Sequence, residues 1–136
     1  AWGANFYNTM LTLGASGKPL KVVDDQYGSP TSCRSLARQL QVFVDRRIHG
    51  TVNATCWGET NWHGFASAIF RLRKLEVDLT PCRTEEFARP ARRPAFSVLS
   101  GEKRRTLGVD CMPNWFEALR EVAEQTEVAV TGGQNG

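Results

Sequence analysis

The sequence is poor in the residues from which catalytic and metal sites are most often built, with two histidines, two tyrosines and four cysteines among 136 residues. Cys33, Cys56, Cys82 and Cys111 stand 23, 26 and 29 residues apart. Zinc sites draw on closely spaced ligand pairs, so this spacing argues against one. The thiols read instead as small buried apolar residues in a reducing compartment. A tyrosine with lysine four residues on, in which the cation keeps a phenol acidic enough to pass a proton, is missing. Leu11 follows Tyr7 at that distance, and Thr31 follows Tyr27. A glycine-rich dinucleotide turn is missing too: Gly14 and Gly17 follow a helical pattern rather than a strand, and position 20 is leucine. There is no Walker loop, G-x-S-x-G elbow or H-E-x-x-H helix. No apolar run approaches the ~18 residues of a membrane span. Residues 1–8, AWGANFYN, have neither the basic nor the apolar region of a signal peptide. The expectation is a cytoplasmic, non-membrane protein without catalytic, cofactor-binding or metal-ligating residues of its own.

What is present is an ordinary globular composition, 41% hydrophobic and 23% charged. The net charge, 17 − 14 = +3, is too mild to mark a nucleic-acid binder. The length predicts one domain, placed over residues 1–126, with a disordered tail over 127–136 ending Gly-Gly-Gln-Asn-Gly.

Helix and strand signals alternate, which predicts a mixed α/β (α+β) class with three to four main helices and a few short strands. Phe6, Met10 and Leu13 share a helical face, and Gly14 offers a stop. Residues 20–24, LKVVD, read as a short strand running into the turn Asp25–Pro30. Thr31 or Ser32 can cap a helix with an apolar stripe of Leu36, Leu40, Phe43, Val44 and Ile48. Residues 50–57 alternate as a half-exposed strand does. Thr60 or Asn61 can cap the clearest helix, with Trp62, Phe65, Ala66, Ile69 and Phe70 on one face. Residues 81–94 read as a long loop and 97–99 as a short strand. A last helix begins near Pro113-Asn114 and packs through Trp115, Phe116, Leu119, Val122 and Ala123.

The segment 89–105, RPARRPAFSVLSGEKRR, sets six cations against the single acid Glu102. Arginines on a proline-stiffened loop suit bidentate recognition of phosphate; the blander reading, which composition alone favours, is a solvated loop or pairing with Glu85 and Glu86. Trp57 and Trp62 flank Gly58–Asn61, as stacking residues or as core. His63 falls on the polar side of its helix, which suits a solvent-facing or capping role. Asp24-Asp25 and Glu85-Glu86 are chain neighbours, which point apart more often than they form an acid/base pair.

The string Asp24-Asp25-Gln26-Tyr27-Gly28-Ser29-Pro30-Thr31, followed by Leu36-Ala37, resembles the D-Q-x-G-x-P-T…L-A signature of dTDP-4-dehydrorhamnose reductases. Asn5-Phe6 with Thr9-Met10-Leu11 is similar to that family's N-F-x-x-T-M-L helix. Gly58–Ala66, GETNWHGFA, resembles its G-E-T-[ST]-W-Y-x-F-A stretch. Arg89–Ser97, RPARRPAFS, resembles R/T-P-A-x-R-P-x-x-S, and Trp115 with Ala118-Leu119 matches W-x-x-A-L. These motifs keep the family's order over about residues 3–124.

The resemblance is to the carboxy-terminal half of a bacterial Rossmann-like reductase, and it implies that the cofactor-binding half is missing. The family transfers hydride from NADPH or NADH to the 4-keto group of dTDP-6-deoxy-L-lyxo-4-hexulose, giving dTDP-L-rhamnose. Its cofactor glycines and Tyr-x-x-x-Lys lie upstream of the part matched. Some members also use magnesium through an acidic residue just after the P-T of the signature, where this chain has Arg34. Carried over, Gln26, Tyr27, Gly28, Pro30, Thr31, Trp62, Arg92 and Arg93 are the expected contacts to a dTDP-sugar. The implied function is the sugar-nucleotide-binding portion of such a reductase, inactive by itself and completed by an amino-terminal cofactor-binding half. The alternative is a free-standing interaction module that reuses the half-fold, as a homodimer. Neither reading involves nucleic acid.

Overall fold

A computed structural model describes residues 5–87 and 93–131. Helix α1 (Phe6–Gly14) starts at Asn5, whose side chain accepts from the Asn8 amide at 2.9 Å. Strand β1 (Leu20–Val23) follows, then β2 (Tyr27–Gly28), α2 (Cys33–Asp45), β3 (Thr60–Asn61) and α3 (Trp62–Leu72). Strand β4 (Leu79–Cys82), a 3₁₀ turn (Thr84–Glu86), the short α4 (Glu102–Thr106) and α5 (Trp115–Thr131) complete the mixed α/β order. Where a single domain over 1–126 is expected from length, the chain forms two compact units, Ala1–Tyr27 with Thr60–Phe96, and Gly28–Glu59 with Ser97–Gly136. Helix α5 runs to Thr131, past the Glu127 at which the tail was expected to begin.

In the first unit β1 and β4 pair in parallel, with Leu20 opposite Leu79 and Val23 opposite Cys82. The sequence reading of 81–94 as loop therefore misses half of β4. Pro81 gives no amide to a ladder, which lowers a strand reading, but in a strand with one paired neighbour the missing donor is tolerated. Helix α3 buries Ala66, Ala68, Ile69 and Phe70, and Met10, Val22 and Cys82 are buried in the same unit. Phe6 stacks on Phe65 at 5.6 Å and tilts against Trp62 at 4.6 Å, as the predicted apolar faces require. Gly14 does not stop α1 by conformation. A Cβ there would sit 2.8 Å from the Phe70 ring, so this glycine lets α1 approach α3, and Gly17, at φ +68°, makes the left-handed turn.

The second unit corrects four expectations. Residues 50–57 form no strand beyond a bridge from Trp57 to Asn114, because an arginine takes the carbonyls that a neighbouring strand would have bonded. Arg104, on α4 and 1% exposed, donates Nη1 to Asn53 O, Nη2 to Thr55 O at 3.0 Å, and Nε to Asp110 Oδ1 at 2.8 Å. Helix α2 is capped by Ser32 as expected, but its fully buried residues are Ser35 and Gln39, while Leu36, Phe43 and Ile48 of the apolar stripe are half-buried. Gln39 Nε2 donates to Val109 O at 2.7 Å, and its Oε1 accepts from the Cys111 amide at 2.9 Å. Leu40 and Val44 are left 49% and 72% exposed. Residues 97–99 are not a strand. Cys56 and Cys82 are buried, and burial pushes both thiols up, whereas Cys33 and Cys111, also expected inside, are exposed. Cys56, Met112 and Ala118 form a core cluster, with Trp57 and Trp115 packed on it.

Candidate functional site

In the first unit the turn after β1 is tied down by its own side chains. Asp25 Oδ1 accepts from the Thr84 hydroxyl at 2.6 Å, and Oδ2 accepts from the Thr84 amide at 3.0 Å. Gln26 Nε2 donates to Thr84 Oγ1 at 2.9 Å, and Gln26 Oε1 accepts from Trp62 Nε1 at 3.3 Å. Asn61, which caps α3 through the Gly64 amide at 2.7 Å, donates its own Nδ2 to Asp24 O at 2.8 Å. Two stretches 36 residues apart, Asp24–Gln26 and Asn61-Trp62, therefore meet, with Thr84 at the centre of the bonding. The Thr84 hydroxyl, then its amide, hold the Asp25 carboxyl below its ordinary range. Asp24 turns to Arg83, 3.9 Å away, so the two aspartates form no acid/base pair.

Of the expected contacts, Gln26 and Trp62 are thus brought together. Tyr27 is the next residue along, its amide bonded to Ala95 O at 2.8 Å and its side chain 40% exposed. Tyr27 forms a parallel bridge with Phe96, a residue that the sequence reading passed over because the family motif leaves its position open. Arg93 is exposed in this unit, while Arg92 and Arg89 lie outside the described residues. His63, expected in a solvent-facing or capping role, has Nε2 shut away from water and without a hydrogen bond.

Gly28, Pro30 and Thr31 belong to the second unit. Ser29 donates to Gly58 O at 2.7 Å; Thr31 donates to Ser29 O at 3.0 Å and accepts from the Cys56 amide at 3.1 Å. This stretch of the signature serves the architecture of its unit, holding the approach to α2 against residues 56–58. The carboxy-terminal part of the basic segment is architectural as well, contrary to the phosphate reading. Arg104 is paired internally, Lys103 donates to Thr51 O at 2.7 Å, and Arg105 lies 4.0 Å over the Trp57 ring while pairing with Glu102. Trp57 donates Nε1 to Asp110 Oδ2 at 2.7 Å and is core, not a free stacking face. For Asp110, burial is the largest influence and pushes the carboxyl up. The bonds from Arg104, Trp57 and the Met112 amide together outweigh it and leave the group below its ordinary range.

Among the described residues, neither group that the resemblance implies finds a fit. Position 34 is an exposed arginine, and the described residues contain no cluster of three His, Cys, Asp or Glu side chains able to hold a metal. Helices α1, α2 and α3 each spend an amino-terminal amide on their own cap, Asn5, Ser32 or Asn61, and none follows a glycine-rich turn that could cradle a dinucleotide. No described helix is long and apolar enough to cross a membrane.

The comparisons with known proteins agree on one family. The pattern of the RmlD substrate binding domain matches residues 1–128. The "Probable dTDP-4,6-dihydroxy-2-methyloxan-3-one 4-ketoreductase" of Streptomyces antibioticus is 38% identical over 124 residues, 88% of this chain and 41% of that protein. The dTDP-4-dehydrorhamnose reductase of Burkholderia thailandensis is 37% identical over 137 residues, 88% of this chain and 46% of that protein. A crystal structure of a dTDP-4-dehydrorhamnose reductase from Clostridium acetobutylicum superposes with a TM-score of 0.89 at 43% identity, covering 92% of this chain and 45% of that one. The chain thus spans less than half the length of the curated relatives it matches. With all but the last eight of its 136 residues inside the family's pattern, it belongs to the RmlD substrate-binding domain family.

Proposed function

We propose that this chain is the sugar-nucleotide-binding portion of a cytoplasmic dTDP-4-dehydrorhamnose reductase, taking a dTDP-4-keto-6-deoxyhexose and not reducing it unaided. The observation that carries this reading is the Gln26–Thr84–Trp62 junction, which joins residues of two family motifs within one unit. Tyr27, the next residue along, is exposed, as is Arg93 of the same unit, whose guanidinium fork suits a diphosphate. The family's Tyr-x-x-x-Lys pair and glycine-rich cofactor turn do not occur in this sequence, and on this reading its residues bind and orient the substrate. A cofactor-binding half is the partner this reading requires, in keeping with relatives more than twice as long.

Calorimetric titration with dTDP tests the reading. The chain should bind, and Arg93→Ala should weaken binding by about 1.5–3 kcal/mol, the range for a hydrogen bond to a charged group. With NADPH and the keto sugar nucleotide, the purified chain should show no cofactor oxidation. Failure to bind dTDP, or robust turnover without a partner, would reject it. The exposed stripe on α2 favours a second reading, a free-standing homodimer that covers Leu40 and Val44 with a second copy.

A further inference from the structure

Tyr27 and Phe96 occupy positions that the two family motifs leave open, yet the fold pairs them in a parallel bridge. Residues paired in this way project to the same side of a sheet, roughly 4.8 Å apart. Both rings are on the surface, Tyr27 40% and Phe96 58% exposed. Their backbone is nonetheless fixed: the Tyr27 amide is bonded to Ala95 O at 2.8 Å, and Pro94 stiffens the approach. The preceding Gln26 turns its amide to Thr84 and Trp62, so the turn that presents Tyr27 is anchored independently of any ligand. Exposed arginine Arg93 lies three residues before Phe96, within about 10 Å of extended backbone. One short segment thus offers flat apolar surface at one end and a guanidinium at the other. A ligand that satisfies both has a planar ring and phosphates on one frame, which is the chemistry of a nucleoside diphosphate.

We infer that Tyr27 and Phe96 form an aromatic platform on which the base of the nucleoside diphosphate stacks while Arg93 meets its phosphates. This rests on the proposed function and deepens it by assigning the nucleotide end of the ligand to these side chains. Because stacking reads a π face rather than a hydrogen-bond pattern, the platform tolerates other bases and sets affinity more than base identity.

The test titrates wild type, Phe96→Ala, Phe96→Leu and Phe96→Trp with dTDP and, separately, with pyrophosphate, which has no base. Loss of one stacked base is worth a weakening of roughly 5- to 150-fold. Phe96→Ala should lose dTDP affinity by that factor, and Phe96→Leu, which keeps apolar bulk without a π face, should lose most of it. Phe96→Trp should hold wild-type affinity, and all four proteins should bind pyrophosphate equally. The exposure of Phe96 keeps these variants folded, with circular dichroism as the check. If wild type binds dTDP and Phe96→Ala or Phe96→Leu binds it equally well, the platform is refuted and the proposed function stands. If wild type binds no dTDP, both fall.

Discussion

Thr84 has no place in any of the motifs, yet its hydroxyl is the point at which Asp25 and Gln26 meet. Replacing it with valine keeps the shape and removes the hydroxyl donor to Asp25. The Asp25 carboxyl, held low chiefly by that hydroxyl, should then titrate closer to its ordinary value. Carboxyl carbon NMR of wild type and Thr84→Val reads this directly, and an unchanged midpoint would show that the hydroxyl does not govern it. The sign for stability follows from linkage. A carboxyl whose folded value is depressed stabilises the fold above its unfolded value, and that stabilisation is lost as pH falls through the folded value. Acid unfolding of Thr84→Val should therefore show a weaker pH dependence in that window. The motif residues were legible because Asp24–Thr31 is a contiguous string, whereas Thr84 is reached only through β4, whose strand signal Pro81 obscures.

At the scale of elements, α4 shows why the segment 89–105 misleads as a composition. Lys103, Arg104 and Arg105 read as a charge run on a loop, but a five-residue helix sends them to three different jobs. Arg104 joins Asn53, Thr55 and Asp110, so one guanidinium substitutes for the strand neighbour that residues 50–57 lack. Removing one partner of a buried pair leaves the other charge and the freed carbonyls uncompensated, a loss of about 3–5 kcal/mol. Urea unfolding of Arg104→Ala should show a loss of that size, and a loss below about 1 kcal/mol, the size of an exposed pair, would mean that the guanidinium is not structural. Gly101 offers a second probe of the same packing. A Cβ there would lie 2.6 Å from both Trp57 Cη2 and Arg104 Nη2, and both groups are held by their bonds to Asp110. Gly101→Ala should cost about 1–3 kcal/mol by overpacking, although its φ of −94° suits any residue. Apolar periodicity revealed α3 and α5 because their stripes are the faces they bury, and α1 through Phe6 and Met10, although the third residue of its stripe, Leu13, is exposed. It located α2 but mistook its inner face, since Ser35 and Gln39 reach hydrogen-bond partners that no local pattern announces.

At the scale of the whole molecule, α2 presents an imbalance that its own unit does not resolve. An amphipathic helix in water normally turns its apolar stripe inward; here the inward face is taken by Ser35 and Gln39, and Leu40 and Val44 stand out one turn apart. The parallel pair β1–β4 repeats the theme in the other unit, because parallel strands are ordinarily covered on both faces and extended by neighbours. Among the described residues the α2 stripe has no covering layer and the β1–β4 pair no further strand. Without that cover the stripe should cause association between copies. Sedimentation velocity over a hundredfold concentration range should show wild type growing heavier, and Leu40→Ser with Val44→Ser staying monomeric. With Val44 72% and Leu40 49% exposed, the exchange should shift unfolding by about 0.5 kcal/mol at Val44 and about 1 kcal/mol at the half-buried Leu40. A wild-type chain that remains monomeric throughout would mean that the stripe drives no association. Self-association undiminished in the double variant would place the sticky surface elsewhere, with the edges of β1 and β4 that are unpaired among the described residues the next to be tested.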